Sequence, residues 1–177
     1  DVFAPTLKVV PLRAVWLGIN LITAFMASLV VAQFEGTIEK VVALAVLMPI
    51  VAGIGGNSGN QTITMIVRAM ALDQVVTSNT ARLIRKELGV ALINGLVWGG
   101  VIGGVAYWLY DNFALGLVMT AAMTLNLLLA AIMGVLIPMT LLKMGRDPAL
   151  GASVMITAVT DNSGFFIFLG LATNFLM

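Results

Sequence analysis

Charged residues cut this chain into long apolar runs. From Ala14 to Phe34, between Arg13 and Glu35, there is no charge, and a bilayer crossing takes about 20 apolar residues of helix. Further runs cover 41–67, 88–110, 112–142 and 148–177. The pattern predicts an all-α polytopic membrane protein with five transmembrane helices over 14–34, 41–67, 88–110, 112–142 and 148–177. Within the second run, Pro49 precedes Gly53, Gly55, Gly56, Asn57, Ser58, Gly59, Asn60 and Gln61, a composition that a regular lipid-facing helix disfavours. The expectation is therefore an interrupted second span. Pro138 is expected to bend or end the fourth span. Asp147-Pro148 reads as a helix start, because Asp caps and Pro suits the first turn.

Composition removes the soluble alternatives. The chain is 60% hydrophobic and 10% charged, with a mean hydropathy of +1.08, whereas soluble domains carry about 25% charged residues. The length predicts one transmembrane domain, residues 1–177. With no Cys and no His, disulfides, thiolate ligands and the commonest general base are absent. A net charge of +1 without a basic stripe gives no reason to expect nucleic acid. The first residue is Asp1, and the chain reads as an excised fragment. With five spans, Lys8, Arg13, Arg68, Arg82, Arg85, Lys86, Lys143 and Arg146 fall on one side and only Lys40 on the other. Basic residues favour the cytoplasmic side. The N-terminus is thus expected inside and the C-terminus outside a cell (inner) membrane.

Asp161 is the acid that lies deepest in a span, and a carboxylate there costs about 2.5 to 3.5 kcal/mol on insertion scales. Such acids face a bundle interior or a water-filled path; the bland alternative is a protonated Asp bonded to a neighbouring helix, or a shallower depth. The segment 53–61 combines backbone freedom with amides, and carbonyl and carboxamide oxygens are hard ligands that suit a bare cation or the water shell of a hydrated one. Its alternative is close helix packing through small residues. Gly95, Gly99, Gly100, Gly103 and Gly104 recur at one-turn spacing and read as a packing face. Asn94 and Asn126 stay open between interhelical bonding and pore lining. Arg82 to Glu87 read as a solvated helix start beside the membrane, with contact to anionic lipid as the second reading. The scattered Met residues read as apolar filler.

Pro49, the run Gly-Gly-Asn-x-Gly-Asn-Gln at 55–61, Arg68-Ala69 and the late Thr-Asp-x-x-Gly-Phe-Phe at 160–166 together resemble the membrane domain of MgtE-type magnesium channels, related to the solute carrier 41 group. The resemblance implies a homodimer with a central ion path, hydrated Mg²⁺ as transported ion and ligand, and Asp161 as the binding carboxylate. It also implies cytoplasmic regulatory domains in the full-length protein. The candidate cation-site residues are Asp161, Gly56, Asn57, Asn60, Thr64 and Thr157, with no catalytic residues. Mg²⁺ keeps its waters tightly, so a few carboxylates and many neutral oxygens can select it. Two copies of Asp161 across a dimer axis would supply the charge, and a proton would compete for them. The rivals are a proton- or sodium-coupled divalent cation antiporter, a membrane enzyme and a purely structural subunit. An enzyme is disfavoured by the lack of His, Cys and a second membrane-depth acid.

Overall fold

A computed structural model of the chain describes residues 2–74 and 79–177, the Leu150 side chain excepted; Asp1 and part of the 68–87 connection lie outside the described residues. The described residues form six helices: α1 Thr6–Ala32, α2 Glu35–Lys40, α3 Ala43–Ala71, α4 Thr80–Tyr110, α5 Phe113–Lys143 and α6 Pro148–Phe175. Among them α1, α4, α5 and Gly151–Phe175 of α6 are long and apolar enough to cross a membrane. The helix α3 is of similar length, but Asn57, Ser58, Asn60 and Gln61 lower its hydropathy. The short α2 was not anticipated; a hydroxyl–hydroxyl bond of 2.8 Å between Thr37 and Thr173 ties it to the end of α6.

The expected interruption of the second long run is absent, since α3 is one continuous helix through 53–61. Side-chain bonding and packing explain why. The Asn60 amide donates to the Gly56 carbonyl (3.1 Å), and the Thr62 and Thr64 hydroxyls donate to the Ser58 and Asn60 carbonyls. These polar groups are thus absorbed by the preceding turn. A Cβ on Gly59 would collide with Ile156, and one on Gly55 with Asn126, so both glycines serve close approach of neighbouring helices. Pro49 is the seventh residue of α3, past the first turn, so its missing N–H forgoes the bond to the Ala45 carbonyl without ending the helix. Nor does Pro138 end its helix, because α5 continues to Lys143. Asp147 caps α6 as its sequence implies, accepting from the Ala149 N–H at 2.9 Å with Pro148 in the first turn.

The helix α5 is the centre of the bundle. It packs against α3, α4 and α6 and buries sixteen residues, whereas α1 buries only Ala27 and reaches chiefly α6. Pairs of neighbouring residues fix the directions. Gly95, Gly99 and Gly103 of α4 meet Thr124, Thr120 and Gly116 of α5, so these helices run antiparallel. Gly56 and Gly59 of α3 meet Thr160 and Ile156 of α6, again antiparallel. One end of the bundle therefore gathers the start of α1, the α3–α4 connection and the α5–α6 connection, which carry all the basic residues but Lys40.

On α4 the small-residue face is narrower than its one-turn repeat implies. Gly95, Gly99 and Gly103 touch α5, and the Thr120 hydroxyl donates to the Gly99 carbonyl at 2.9 Å. Gly100 and Gly104 face open space. Gly103→Ala would push a methyl group into the Gly116 carbonyl, 2.6 Å from the new Cβ position, and should cost about 1 to 3 kcal/mol as an overpacked contact. Gly100→Ala should be neutral or slightly stabilising. Thermal unfolding in detergent, followed by circular dichroism, checks the contrast; equal midpoints for the two variants would rule out the packing face.

Candidate functional site

Asp161 is the fourteenth of the 28 residues of α6, about 20 Å along the helix from its start. Its neighbours Thr160, Asn162 and Ser163 are all tied into the bundle. The Thr160 hydroxyl donates to the Ile156 carbonyl (2.8 Å). The Asn162 amide donates to the Ala158 carbonyl (2.7 Å) and to Thr23 of α1 (3.4 Å). The Ser163 hydroxyl lies within hydrogen-bond reach of the Val159 carbonyl (2.6 Å) and of Asn126 Oδ1 on α5 (2.9 Å). Asp161, half-buried, makes no hydrogen bond or ion pair to any described residue, and neither of its oxygens is sealed from the surroundings.

The direction in which Asp161 points follows from these ties. Successive residues of an α-helix turn by about 100°, and Ser163 reaches α5, Thr160 faces α3 and Asn162 faces α1. Asp161 accordingly points between α3 and α1, on the side away from α5. Thr157 precedes it by one turn on the same side. On α3, Thr62 faces α4 and α5, where a Cβ on Gly134 would lie 2.8 Å from its own Cβ. Asn60 lies about 160° round the helix from Thr62, with Gly56 between it and the seam with Thr160. Asn57 and Thr64 continue that exposed stripe. The fold thus brings Gly56, Asn60, Asn57 and Thr64 of α3 to the same side of the α3–α6 seam as Thr157 and Asp161 of α6.

The polar atoms on this face share one property. Thr64 and Thr157 donate their only hydroxyl proton inward, to the carbonyls of Asn60 and Ser153 at 2.9 Å each. The Asn60 amide nitrogen is engaged with Gly56. Besides the second N–H of Asn60, what these groups leave for a ligand is oxygen lone pairs, and a carboxylate adds more. Among the described residues no three Asp, Glu, His or Cys side chains come together, so any cation here meets one carboxylate per chain and neutral oxygens.

The two intramembrane asparagines left open by the sequence part company. Asn126 is fully buried and lines no path: its amide donates to the Val51 carbonyl of α3 (3.1 Å) and the Thr160 carbonyl of α6 (3.3 Å). Gly55 and Gly164 flank it, and a Cβ on either would overlap that amide. It therefore sets the register of α6, and hence of Asp161, against α3. Asn94 lies in a different place, a cleft between α3 and α4. Glu87, read from the sequence as part of a solvated helix start, is buried at 5% exposure, because α4 begins at Thr80 and has already turned Glu87 toward α3. Only its offset from the helix start, which the charge pattern places too late, could have revealed this.

Comparison with known proteins gives a consistent result. The family model MgtE, described as a divalent cation transporter, matches residues 48–171. Similar curated proteins are the magnesium transporter MgtE of Thermus thermophilus, 35% identical over 161 residues, and that of Bacillus subtilis, 30% identical over 164. The first alignment covers 90% of this chain and 35% of the relative, the second 93% and 36%. That of Enterococcus faecalis is 31% identical, with 96% of this chain and 38% of the relative covered. The chain spans about a third of the length of these relatives.

Asn126→Ala removes the bonds to Val51, Thr160 and Ser163, and interhelical bonds in membranes average about 0.6 kcal/mol, so the loss should reach about 2 kcal/mol. Gly55→Ala, which displaces the same amide, should cost a similar amount. The double variant should be less damaging than the sum, since both remove one interaction. Unfolding free energies of the four proteins in detergent test this; strict additivity would show that Asn126 and Gly55 act separately.

Proposed function

This chain belongs to the MgtE family of divalent cation transporters, and on that premise we propose that it is the membrane domain of a magnesium transporter whose ions move along the α3–α6 face. Asp161 carries the reading: it alone among residues 160–163 has no partner among the described residues, at a depth where an uncommitted carboxylate is costly. A cation offsets that cost. The waters of a hydrated Mg²⁺ present only O–H groups outward, and the lone pairs of Asn60, Thr64 and Thr157 are suited to receive them. Asn57 and the backbone at Gly56 complete the set. Mg²⁺ need not shed its shell on such a surface, which favours it over ions that bind by direct coordination.

In this reading α3 is the fifth crossing, shielded from lipid along its polar stripe by a second copy of the chain. Two Asp161 carboxylates then face each other across a homodimer axis and share one hydrated ion. The basic end of the bundle lies in the cytoplasm, following the bias of Lys and Arg, and the C-terminus lies outside. The additional length of the relatives is where cytoplasmic regulatory domains belong. The family is one of transporters, and no enzymatic step is assigned to any residue.

Mg²⁺ uptake into proteoliposomes should fall more than about tenfold in Asp161→Asn and Asp161→Ala, equivalent to at least about 1.4 kcal/mol of lost cation stabilisation. Thr157→Val removes one acceptor while keeping the shape, and should lower uptake about two- to fivefold, the effect of a single hydrogen bond. Thr157→Ser should retain uptake. Uptake is expected to proceed without a pH gradient. Wild-type rates in both Asp161 variants would remove Asp161 from the path, and strict dependence on a proton gradient would replace the channel by a proton-coupled antiporter.

A further inference from the structure

The helix α3 carries a second set of polar residues, turned away from Asp161. Ser58, Gln61 and Thr62 of α3 and Lys86, Glu87 and Asn94 of α4 line a cavity of about 260 Å³. Glu87 is more than nine-tenths buried. Among the described residues it has one partner, the Thr62 hydroxyl, 3.3 Å from Oε2 and shared with the Ser58 carbonyl. Its Oε1 accepts no hydrogen bond from a described residue and is not sealed in protein, so it opens on the cavity. Lys86 lines the same cavity but forms no ion pair with Glu87. Glu87 is the eighth residue of α4, about 10 Å along the helix from its start at the basic end of the bundle.

We propose that this α3–α4 cavity is a second binding site for a hydrated divalent cation, separate from the Asp161 face. One carboxylate with neighbouring hydroxyl and amide oxygens is a donor set suited to a cation that keeps most of its waters. The size agrees: six waters at about 30 Å³ each fill about 180 Å³. A bound cation compensates the buried carboxylate, whose loss of water is otherwise offset by the Thr62 hydroxyl alone among the described residues. Through Thr62 it also holds α3 against α4 without touching α6. The inference rests on Glu87 and its cavity and does not require Asp161 to bind an ion.

The test is Mn²⁺ binding to the whole chain in detergent, read by electron paramagnetic resonance as the loss of free Mn²⁺. Asp161→Asn should leave one class of bound Mn²⁺, and Glu87→Gln added to it should abolish that class. Asn94→Leu, at a cavity wall outside the core, should weaken the class about fivefold in the Asp161→Asn background. Lys86→Met should tighten it about threefold by removing a like charge, an effect that a purely structural Glu87 would not produce. Thermal unfolding confirms that each variant is folded. Mn²⁺ binding that is indifferent to Glu87→Gln and to Asn94→Leu overturns the proposal. Loss of binding in Glu87→Gln with none in Asp161→Asn upholds the cavity while removing the Asp161 assignment.

Discussion

The amide of Asn126 holds the three central helices in one register. In a bilayer, apolar side chains gain little by leaving lipid for one another, so helices associate through close backbone approach and polar bonds between them. Asn126 combines the two. It reaches carbonyls of α3 and α6 and accepts from Ser163, and it can do so only because Gly55 and Gly164 leave its space open. The glycines around it look like flexibility in the sequence; in the fold they are the recess of a rigid joint. Everything on the Asp161 face inherits its position from that joint, because Thr160, whose carbonyl Asn126 grips, adjoins Asp161.

The continuity of α3 changes what its polar motif means. A broken helix would offer main-chain carbonyls to an ion, as unwound segments in other membrane proteins do. An intact one spends its carbonyls on the helix ladder and offers side chains instead. The hydroxyls and one N–H of the Asn60 amide satisfy the local backbone, which leaves chiefly oxygen facing outward. A smooth helical wall lined with acceptors suits an object the size of a water-coated ion, and two different faces of the same rod carry such oxygens.

Much of the architecture could be read from where charges stop. The breaks near Glu35, Asp111 and Asp147 lie within a few residues of helix ends because charge and capping chemistry coincide there. The prominence of Asp161 was equally legible, since a lone acid in a long apolar run has no other precedent in this chain. The fate of 53–61 was not, because Gly and Asn favour both an unwound segment and a tight helix contact, and only the neighbours Ile156 and Asn126 decide between them. Glu87 was hidden for a related reason. Charge clusters mark the edge of an apolar run, whereas α4 starts eight residues before that edge and carries its acid into the protein. The two asparagines differ only in what lies opposite them, which no local pattern records.

The slender attachment of α1 bears on how the molecule is made. Its chief contact is with α6, whose first residue, Pro148, comes 142 positions after Thr6. At about 5 to 20 residues per second of synthesis, α1 waits roughly 7 to 28 seconds before the start of its partner is made. During that interval α1 lacks its chief partner, and the Asn126 joint is also incomplete, because Thr160 and Ser163 belong to the same late helix. The helix α6 is thus the keystone for both α1 and α5. A chain stopped before Pro148 would keep the packing of α5 on α3 and α4 but leave α1 without its chief partner.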